Sequence, residues 1–213
     1  MNCYYDYSIT GNSIENWKKI HKRCKDEIIN INPKTWIDWP EKNLYGKDME
    51  WKIVPICYCI PSDNVNNKVW INEVKKFIPN IYNFVKSQKN IRTALISKMG
   101  KNVKLKYHQG WKCVSNHILR CHLPLLVEED KSGVIVNRYT RFHKEGDYIL
   151  FDDSMSHCGF NNSNNCRYVL IIDYARPIDV KPGISEITAS DELNKLCSFY
   201  RQINKLYSSL EKY

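Results

Sequence analysis

The chain has 213 residues, of which 43% are apolar and 26% charged, and its formal net charge is +9. This length fits one domain that buries a core without disulfides or metals, and the composition excludes disordered, collagen-like and coiled-coil chains. The longest uncharged apolar stretch, 53–61, is much shorter than the ~20 residues that cross a bilayer, so we expect no membrane span.

The periodicity of apolar residues changes along the chain. Helical spacing predicts helices over 13–30, over 69–85 with a break near Pro79, and over 191–213, while 51–60 reads as a strand. A period of two then predicts short strands over 94–99, 103–108, 117–127, 134–140, 148–152 and 167–175. Because the spacing leaves no room for helices between these strands, we expect an antiparallel β-sandwich or barrel, mainly β with flanking helices.

The N-terminal residues lack the basic and apolar segments of a secretory signal. The nine cysteines are an odd number without a Cys-x-x-Cys pair, which favours reduced thiols over a disulfide framework. We therefore expect a cytoplasmic protein. The lysines are scattered, so the basic surface favours acidic partners and makes dedicated nucleic-acid binding an unfavoured alternative.

Arginine and histidine lie on the faces of two predicted strands. Alternation places Arg120 and His122 on one face of an otherwise apolar strand, and Arg167 on the last strand at the mouth of the same surface. Cations inside a barrel are costly unless an anion compensates them. Because arginine prefers bidentate contacts to carboxylates, this set predicts a small dicarboxylate ligand.

His108 and His157, far apart in the sequence, match the histidine half of a two-histidine, one-carboxylate iron site. The carboxylate of such a site stands two residues after the first histidine, where this chain has Gly110. Either water completes the site or no metal binds. Asp152 and Asp153 either replace the missing ligand or shape the turn that leads to His157.

At this point the residues resemble the aspartyl/asparaginyl β-hydroxylase family of Fe(II)- and 2-oxoglutarate-dependent oxygenases. The resemblance is strong over 97–177 and rests on several motifs in one order. They are His108-Gln-Gly110, Asn116-His-Ile-Leu119-Arg120-Cys-His122-Leu123, Phe151-Asp152-Asp153-Ser154-Met-Ser-His157, Arg167, Asp173 and Arg176-Pro177.

The resemblance implies a double-stranded β-helix, the cupin-like jelly roll, and a role for each matching residue. His108 and His157 would bind Fe(II), with water in place of the carboxylate. Ser97 and Arg167 would hold the distal carboxylate of 2-oxoglutarate, and Arg120 and His122 its metal-proximal carboxylate. Beyond this metal centre no catalytic residue is implied.

A single oxygenase domain would then occupy residues 1–213. It would divide into a mostly helical part over 1–90, a jelly-roll core over 91–178 and a C-terminal helix over 179–213.

Three departures from the family pattern concern the substrate. The Pro-Gly turn before the first histidine is absent, and the segment from His108 to Arg120 is longer by about three residues than in animal members. The usual tryptophan before the glycine at Gly146 is missing, with Phe142 and His143 nearby. Tyr107, Trp111 and Tyr148 could line a substrate cleft or simply pack.

The activity that the resemblance implies is hydroxylation of an unactivated C–H with molecular oxygen. In the family this is often the β-carbon of Asp or Asn in a polypeptide, and the net charge favours an acidic one. The alternatives are a lipid acyl chain or a free small molecule as substrate, a halogenase, and a non-catalytic jelly-roll binding module.

Overall fold

Two antiparallel β-sheets form the framework of the protein. The computed structural model of the chain describes residues 2–46, 48–188 and 191–210. Within them, the α-helices are α1 Ile14–Ile29, α2 Pro79–Ser87, α3 Lys112–Ser115 and α4 Asp191–Ser209. The strands are β1 Tyr4–Tyr5, β2 Ile37–Asp38, β3 Trp51–Cys59, β4 Lys68–Trp70, β5 Ile91–Met99, β6 Val103–Lys104, β7 Ile118–Leu126, β8 Ser132–Val136, β9 Tyr139–Phe142, β10 Ile149–Phe151, β11 His157–Asn161 and β12 Arg167–Ala175.

The larger sheet has the order β1-β10-β7-β12-β5-β3-β2, with β4 paired to β3, and the smaller sheet has the order β6-β11-β8-β9. The chain moves repeatedly between the two sheets, as in a double-stranded β-helix. The fold expected from the sequence is therefore confirmed. Four strands of the larger sheet come from the first 90 residues, so the N-terminal part completes the sheet as well as supplying helices.

Helices cover the outer face of the larger sheet. α1 packs against α2 and β7 through the buried side chains of Trp17, Cys24 and Ile28. Burial of such apolar side chains contributes about 1.5–3 kcal/mol each. Among the described residues, no helix has the length and apolar character needed to cross a membrane.

Some predicted helices and strands match the observed ones, and others differ for reasons that lie in the local sequence. Strand β12 and helix α1 lie where the periodicity places them. The helix predicted from Val69 is wrong: this segment begins as strand β4 and a 3₁₀ turn, and Pro79 is at the first turn of α2 instead of breaking a helix. The last residues of the predicted C-terminal helix, 211–213, lie outside the described residues.

The smaller sheet was predicted less accurately. The single strand expected over 134–140 is wrong, since β8 and β9 form a hairpin that turns at Asn137, whose φ is +55°. Asparagine is one of the few residues that adopt this left-handed conformation readily. Strand β11, which begins at His157, was not predicted, because its five residues are all buried and show no alternation.

Candidate active site

His108 and His157 lie side by side in a bridge between two backbone segments. Each backbone N–H donates to the carbonyl of the other, at 3.0 and 2.8 Å, and the ring centroids are 4.3 Å apart. The pairing places two imidazoles from distant parts of the chain at one point. The sequence prediction that these two residues act together is therefore consistent with their positions.

Both imidazoles have one nitrogen fixed by the backbone. His108 Nδ1 is 2.8 Å from the Lys106 carbonyl, and His157 Nδ1 is 2.8 Å from the Met155 carbonyl. A carbonyl only accepts, so both Nδ1 atoms carry the hydrogen and both Nε2 atoms keep a lone pair. Burial lowers the pKa of each histidine to about 4. Neutral imidazoles with a free Nε2 are the form that binds a metal.

The carboxylate of Asp153 occupies the space that a side chain at position 110 would fill. A Cβ atom added to Gly110 would lie 2.2 Å from Asp153 Oδ2, and Asp153 Oδ1 is 3.3 Å from His157 Nε2. Gly110 therefore makes room for Asp153 beside the histidine pair. Within the described residues, no group of three or more His, Cys, Asp or Glu side chains has the arrangement of a metal site.

Asp152 shapes the turn that leads to His157, which is one of the two roles that the sequence left open for it. Its Oδ1 accepts hydrogen bonds from the backbone N–H and the hydroxyl of Ser154, and both of its oxygens accept from Arg176. These bonds hold the turn that leads to His157. Asp153 has a different environment, because its carboxylate faces the histidines.

A small cavity of about 40 Å³ lies behind the histidine pair, between the sheets. Arg167 and Ser97 both line it from neighbouring strands of the larger sheet, with Arg167 Nη2 3.3 Å from Ser97 Oγ. Arg167 is only 2% exposed, and its Nε and Nη1 atoms have no hydrogen-bond partner among the residues that the structure describes. Burial lowers the pKa of this arginine to about 10. An unpaired buried guanidinium is costly, so the cavity has the charge of an anion site.

Arg120 differs from Arg167 because carboxylates already surround it. Its Nε and Nη2 donate to the two oxygens of Asp173 at 2.8 and 2.9 Å, and its Nη1 donates to Asp153 Oδ1 at 2.6 Å. Neither Asp153 nor Asp173 was predicted from the sequence as a partner of Arg120, although Asp173 was part of the family motif. Arg120 lines both the cavity and the outer cleft. Its predicted contact to 2-oxoglutarate stays a prediction.

His122 lines the cavity beside Arg120 and Arg167 and is 5% exposed. Its Nδ1 is 3.1 Å from Nε2 of His143, a residue that the sequence analysis noted only as a departure from the family pattern. His143 itself is 1% exposed. The sequence pattern indicated a buried role for His143 only weakly, because a histidine that follows an exposed strand resembles a surface residue.

An outer cleft of about 380 Å³ opens beside His108, which is one of its lining residues. Tyr107 and Trp111 line it, whereas Tyr148 packs against Tyr7 with ring centroids 5.3 Å apart. Its other aromatic walls come from Trp39, Trp51 and Tyr200, which sequence reasoning did not place there. Arg120 is the only lysine or arginine among the described residues that line the cleft, which also has three acidic residues, Glu41, Asp153 and Asp173.

Solved structures with distant similarity to this chain include oxygenase and cupin proteins. A 2OG-Fe(II) oxygenase family oxidoreductase from Burkholderia pseudomallei is 11% identical, with a TM-score of 0.48 over 89% of this chain and 98% of its own. The Cnp3 cupin domain of Schizosaccharomyces pombe is 9% identical, with a TM-score of 0.37 over 61% of this chain and 69% of its own.

Sequence comparison gives a more specific result. The ornithine lipid ester-linked acyl 2-hydroxylase of Rhizobium tropici is 31% identical over 105 residues, which are 48% of this chain and 36% of that protein. The chain thus matches about a third of the length of this curated relative. The family model described as aspartyl/asparaginyl beta-hydroxylase matches residues 9–177, which is more than half of the chain. With the histidine pair and the arginine-lined cavity in place, the chain belongs to the aspartyl/asparaginyl β-hydroxylase family.

Proposed function

We propose that the protein is an Fe(II)- and 2-oxoglutarate-dependent hydroxylase whose metal is held by His108 and His157. The observation that carries this proposal is Arg167, a buried guanidinium in a cavity that both histidines also line. Within the described part of the chain, its Nε and Nη1 have no hydrogen-bond partner. Arg167 and both histidines line this one cavity, so a dicarboxylate bound in it would lie between the guanidinium and the metal position. Ser97 adds a hydroxyl at the inner end.

The residues present fit a metal ion. His157 Nε2 carries a lone pair and faces Asp153 Oδ1 at 3.3 Å. Two acceptors this close repel each other unless a cation or a proton lies between them. Bound Fe(II) would supply the oxidation that turns a substrate C–H, oxygen and 2-oxoglutarate into a C–OH, succinate and carbon dioxide.

The chain's own groups orient these reactants. The Lys106 and Met155 carbonyls fix the ring tautomers, so that both Nε2 atoms are available. Arg120 holds Asp153 at 2.6 Å and thereby keeps a carboxylate beside the metal position. Arg167, Ser97 and His122 would set the angle of 2-oxoglutarate, and errors of about 1 Å in such positioning cost catalytic rate.

For the substrate, we propose a neutral, apolar segment such as a lipid acyl chain. The walls of the cleft are mainly aromatic and aliphatic, and its one arginine is already paired with two aspartates. An acyl chain needs no ionic partner there. The curated relative is named as an acyl 2-hydroxylase. A net charge of +9 would also favour encounter with an anionic lipid surface.

The β-carbon of Asp or Asn in a polypeptide is the second candidate, and the family description supports it. Its carboxylate or amide would have to bind in a cleft that holds three acidic side chains and one paired arginine. An acidic peptide would meet repulsion from these groups, whereas an amide would not. Asn is therefore a better peptide substrate than Asp for this cleft.

The test is turnover with Fe(II), 2-oxoglutarate and ¹⁸O₂ on three matched substrates: an acyl-chain lipid, an Asn peptide and an Asp peptide. We expect succinate together with ¹⁸O in the acyl chain. The variant that replaces His108 and His157 with Ala should form no succinate, whereas a variant of the exposed residue His117 to Ala should behave as the unmodified protein.

Label in a peptide would favour the second candidate. Binding of 2-oxoglutarate without succinate from any substrate would favour a non-catalytic binding module.

A further inference from the structure

Three buried polar side chains form a hydrogen-bonded chain that crosses from the smaller sheet to the cavity. Ser132 Oγ on β8 is 3.2 Å from His143 Nδ1, and His143 Nε2 is 3.1 Å from His122 Nδ1 on β7. Their exposed fractions are 0%, 1% and 5%. His122 is the end of this chain that lines the cavity beside Arg167.

Burial favours the neutral form of both His122 and His143. Burial lowers the pKa of His122 and of His143 well below the ordinary value, and the nearby positive charge of Arg167 lowers both further. A neutral imidazole carries one N–H and one acceptor nitrogen. The two hydrogen bonds that join Ser132, His143 and His122 can therefore be donated in only two directions. These directions differ in whether His122 presents an N–H or a lone pair to the cavity.

The Ser132 hydroxyl decides the direction. Among the described residues it has no hydrogen-bond partner other than His143. If His143 donated to Ser132, the buried serine O–H would have no acceptor, at the cost of an unmade hydrogen bond. If Ser132 donates to His143 Nδ1, then His143 Nε2–H donates to His122 Nδ1, and both hydrogen bonds are made with no buried hydroxyl left unpaired. His122 then presents Nε2–H to the cavity.

We propose that His143 is a positioning residue that fixes His122 as an Nε2–H donor to the carboxylate of 2-oxoglutarate. The inference rests on the proposed function for the identity of the ligand, while the direction of the hydrogen-bond chain stands on the protein alone. The opposite tautomer would aim a lone pair at an incoming carboxylate. Ser132 and His143 thus link the smaller sheet to the binding of an anion on the larger one.

The direct test is the tautomer of His122, measured by long-range ¹H–¹⁵N NMR on histidine-labelled protein loaded with Zn(II), which is diamagnetic. We expect Nε2–H on His122 and the same on His143 without any added 2-oxoglutarate. An Nδ1–H tautomer on His122 would overturn the proposal. Ser132→Ala removes the terminal donor and should give a mixture of both tautomers.

The second test is calorimetric titration of 2-oxoglutarate into Mn(II)-loaded protein without oxygen. His143→Phe keeps a ring but removes both nitrogens, and we expect affinity to fall about tenfold, which equals about 1.4 kcal/mol. His143→Gln keeps an N–H donor and should recover part of this loss. His117→Phe, at an exposed histidine, is the matched control and should bind as the unmodified protein.

The outcomes separate the two proposals. If the unmodified protein binds no 2-oxoglutarate, the proposed function fails, whatever the tautomer. If it binds 2-oxoglutarate and His143→Phe changes the affinity by less than about twofold, below the ordinary effect of one hydrogen bond, only the role of His143 fails. Should His143→Phe not fold, the NMR result and the Ser132→Ala titration still decide the matter.

Discussion

Arg120 and Asp173 lie opposite each other on β7 and β12 and share two parallel hydrogen bonds, of 2.8 and 2.9 Å. Burial alone would lower the pKa of Arg120, but Asp153 and Asp173 together raise it. The arginine therefore stays charged and is balanced within the protein. This pairing distinguishes it from Arg167, whose only side-chain hydrogen bond to a described residue is with the hydroxyl of Ser97.

The first prediction concerns this ion pair. Asp173→Asn should leave the Arg120 charge partly uncompensated and lower the free energy of unfolding by about 3–5 kcal/mol, as for other buried pairs broken on one side. Urea denaturation measures this change. Asp179→Asn, at an exposed aspartate, is the control and should change stability by less than about 0.5 kcal/mol. Equal stability of the two variants would contradict a structural role for Asp173.

The second prediction concerns the unpaired arginine. Arg167→Ala should weaken 2-oxoglutarate binding by two to three decades, because a buried charge pair broken on one side costs about 3–5 kcal/mol. Metal binding should be retained, since His108 and His157 are unchanged. Calorimetry with Mn(II) and then with 2-oxoglutarate separates the two effects. Arg138→Ala removes an exposed arginine as the control. Unaltered affinity of this variant for 2-oxoglutarate would show that Arg167 does not bind the cosubstrate.

The third prediction concerns the space between Gly110 and Asp153. Gly110→Ala should destabilise the protein by about 1–3 kcal/mol, because the new Cβ would lie 2.2 Å from Asp153 Oδ2 and 2.7 Å from Ser115 Cβ. A double-mutant cycle with Asp153→Ala tests the contact, since the double variant should lose less stability than the sum of the single ones. If the stability losses of the two single variants are strictly additive, Gly110 is required for a reason other than its contact with Asp153.

The fourth prediction concerns pH. The pKa of His108 and His157 is about 4 in the folded protein, against about 6.5 when unfolded. Between these values the unfolded chain binds more protons, so the stability of the metal-free protein should rise as pH increases from about 4 to 6.5.

Thermal or urea unfolding across this range, with metal removed, measures the slope. Replacing both histidines with Gln should make the slope shallower, and His117→Gln should not. A slope of opposite sign would contradict the neutral state of the pair.

Those features of the protein that depend on local spacing could be predicted from the amino-acid sequence alone. Alternation placed Arg120 and His122 on one face of β7, and the predicted bounds of β12 are those observed. Of the two roles that the sequence left open for the aspartates before His157, shaping the turn holds for Asp152. These features follow from side-chain direction within one segment, and neighbours along the chain set that direction.

The partners of these residues, in contrast, depend on how distant segments meet in the folded protein. The pairing of β7 with β12 brings Asp173 to Arg120, and the bridge from His108 to His157 brings Asp153 next to Gly110. The connection from His143 to His122 likewise joins two sheets. Strand register and the paths of loops depend on contacts between distant segments, and no local period encodes them. The charge of the cleft therefore became evident only in the folded chain.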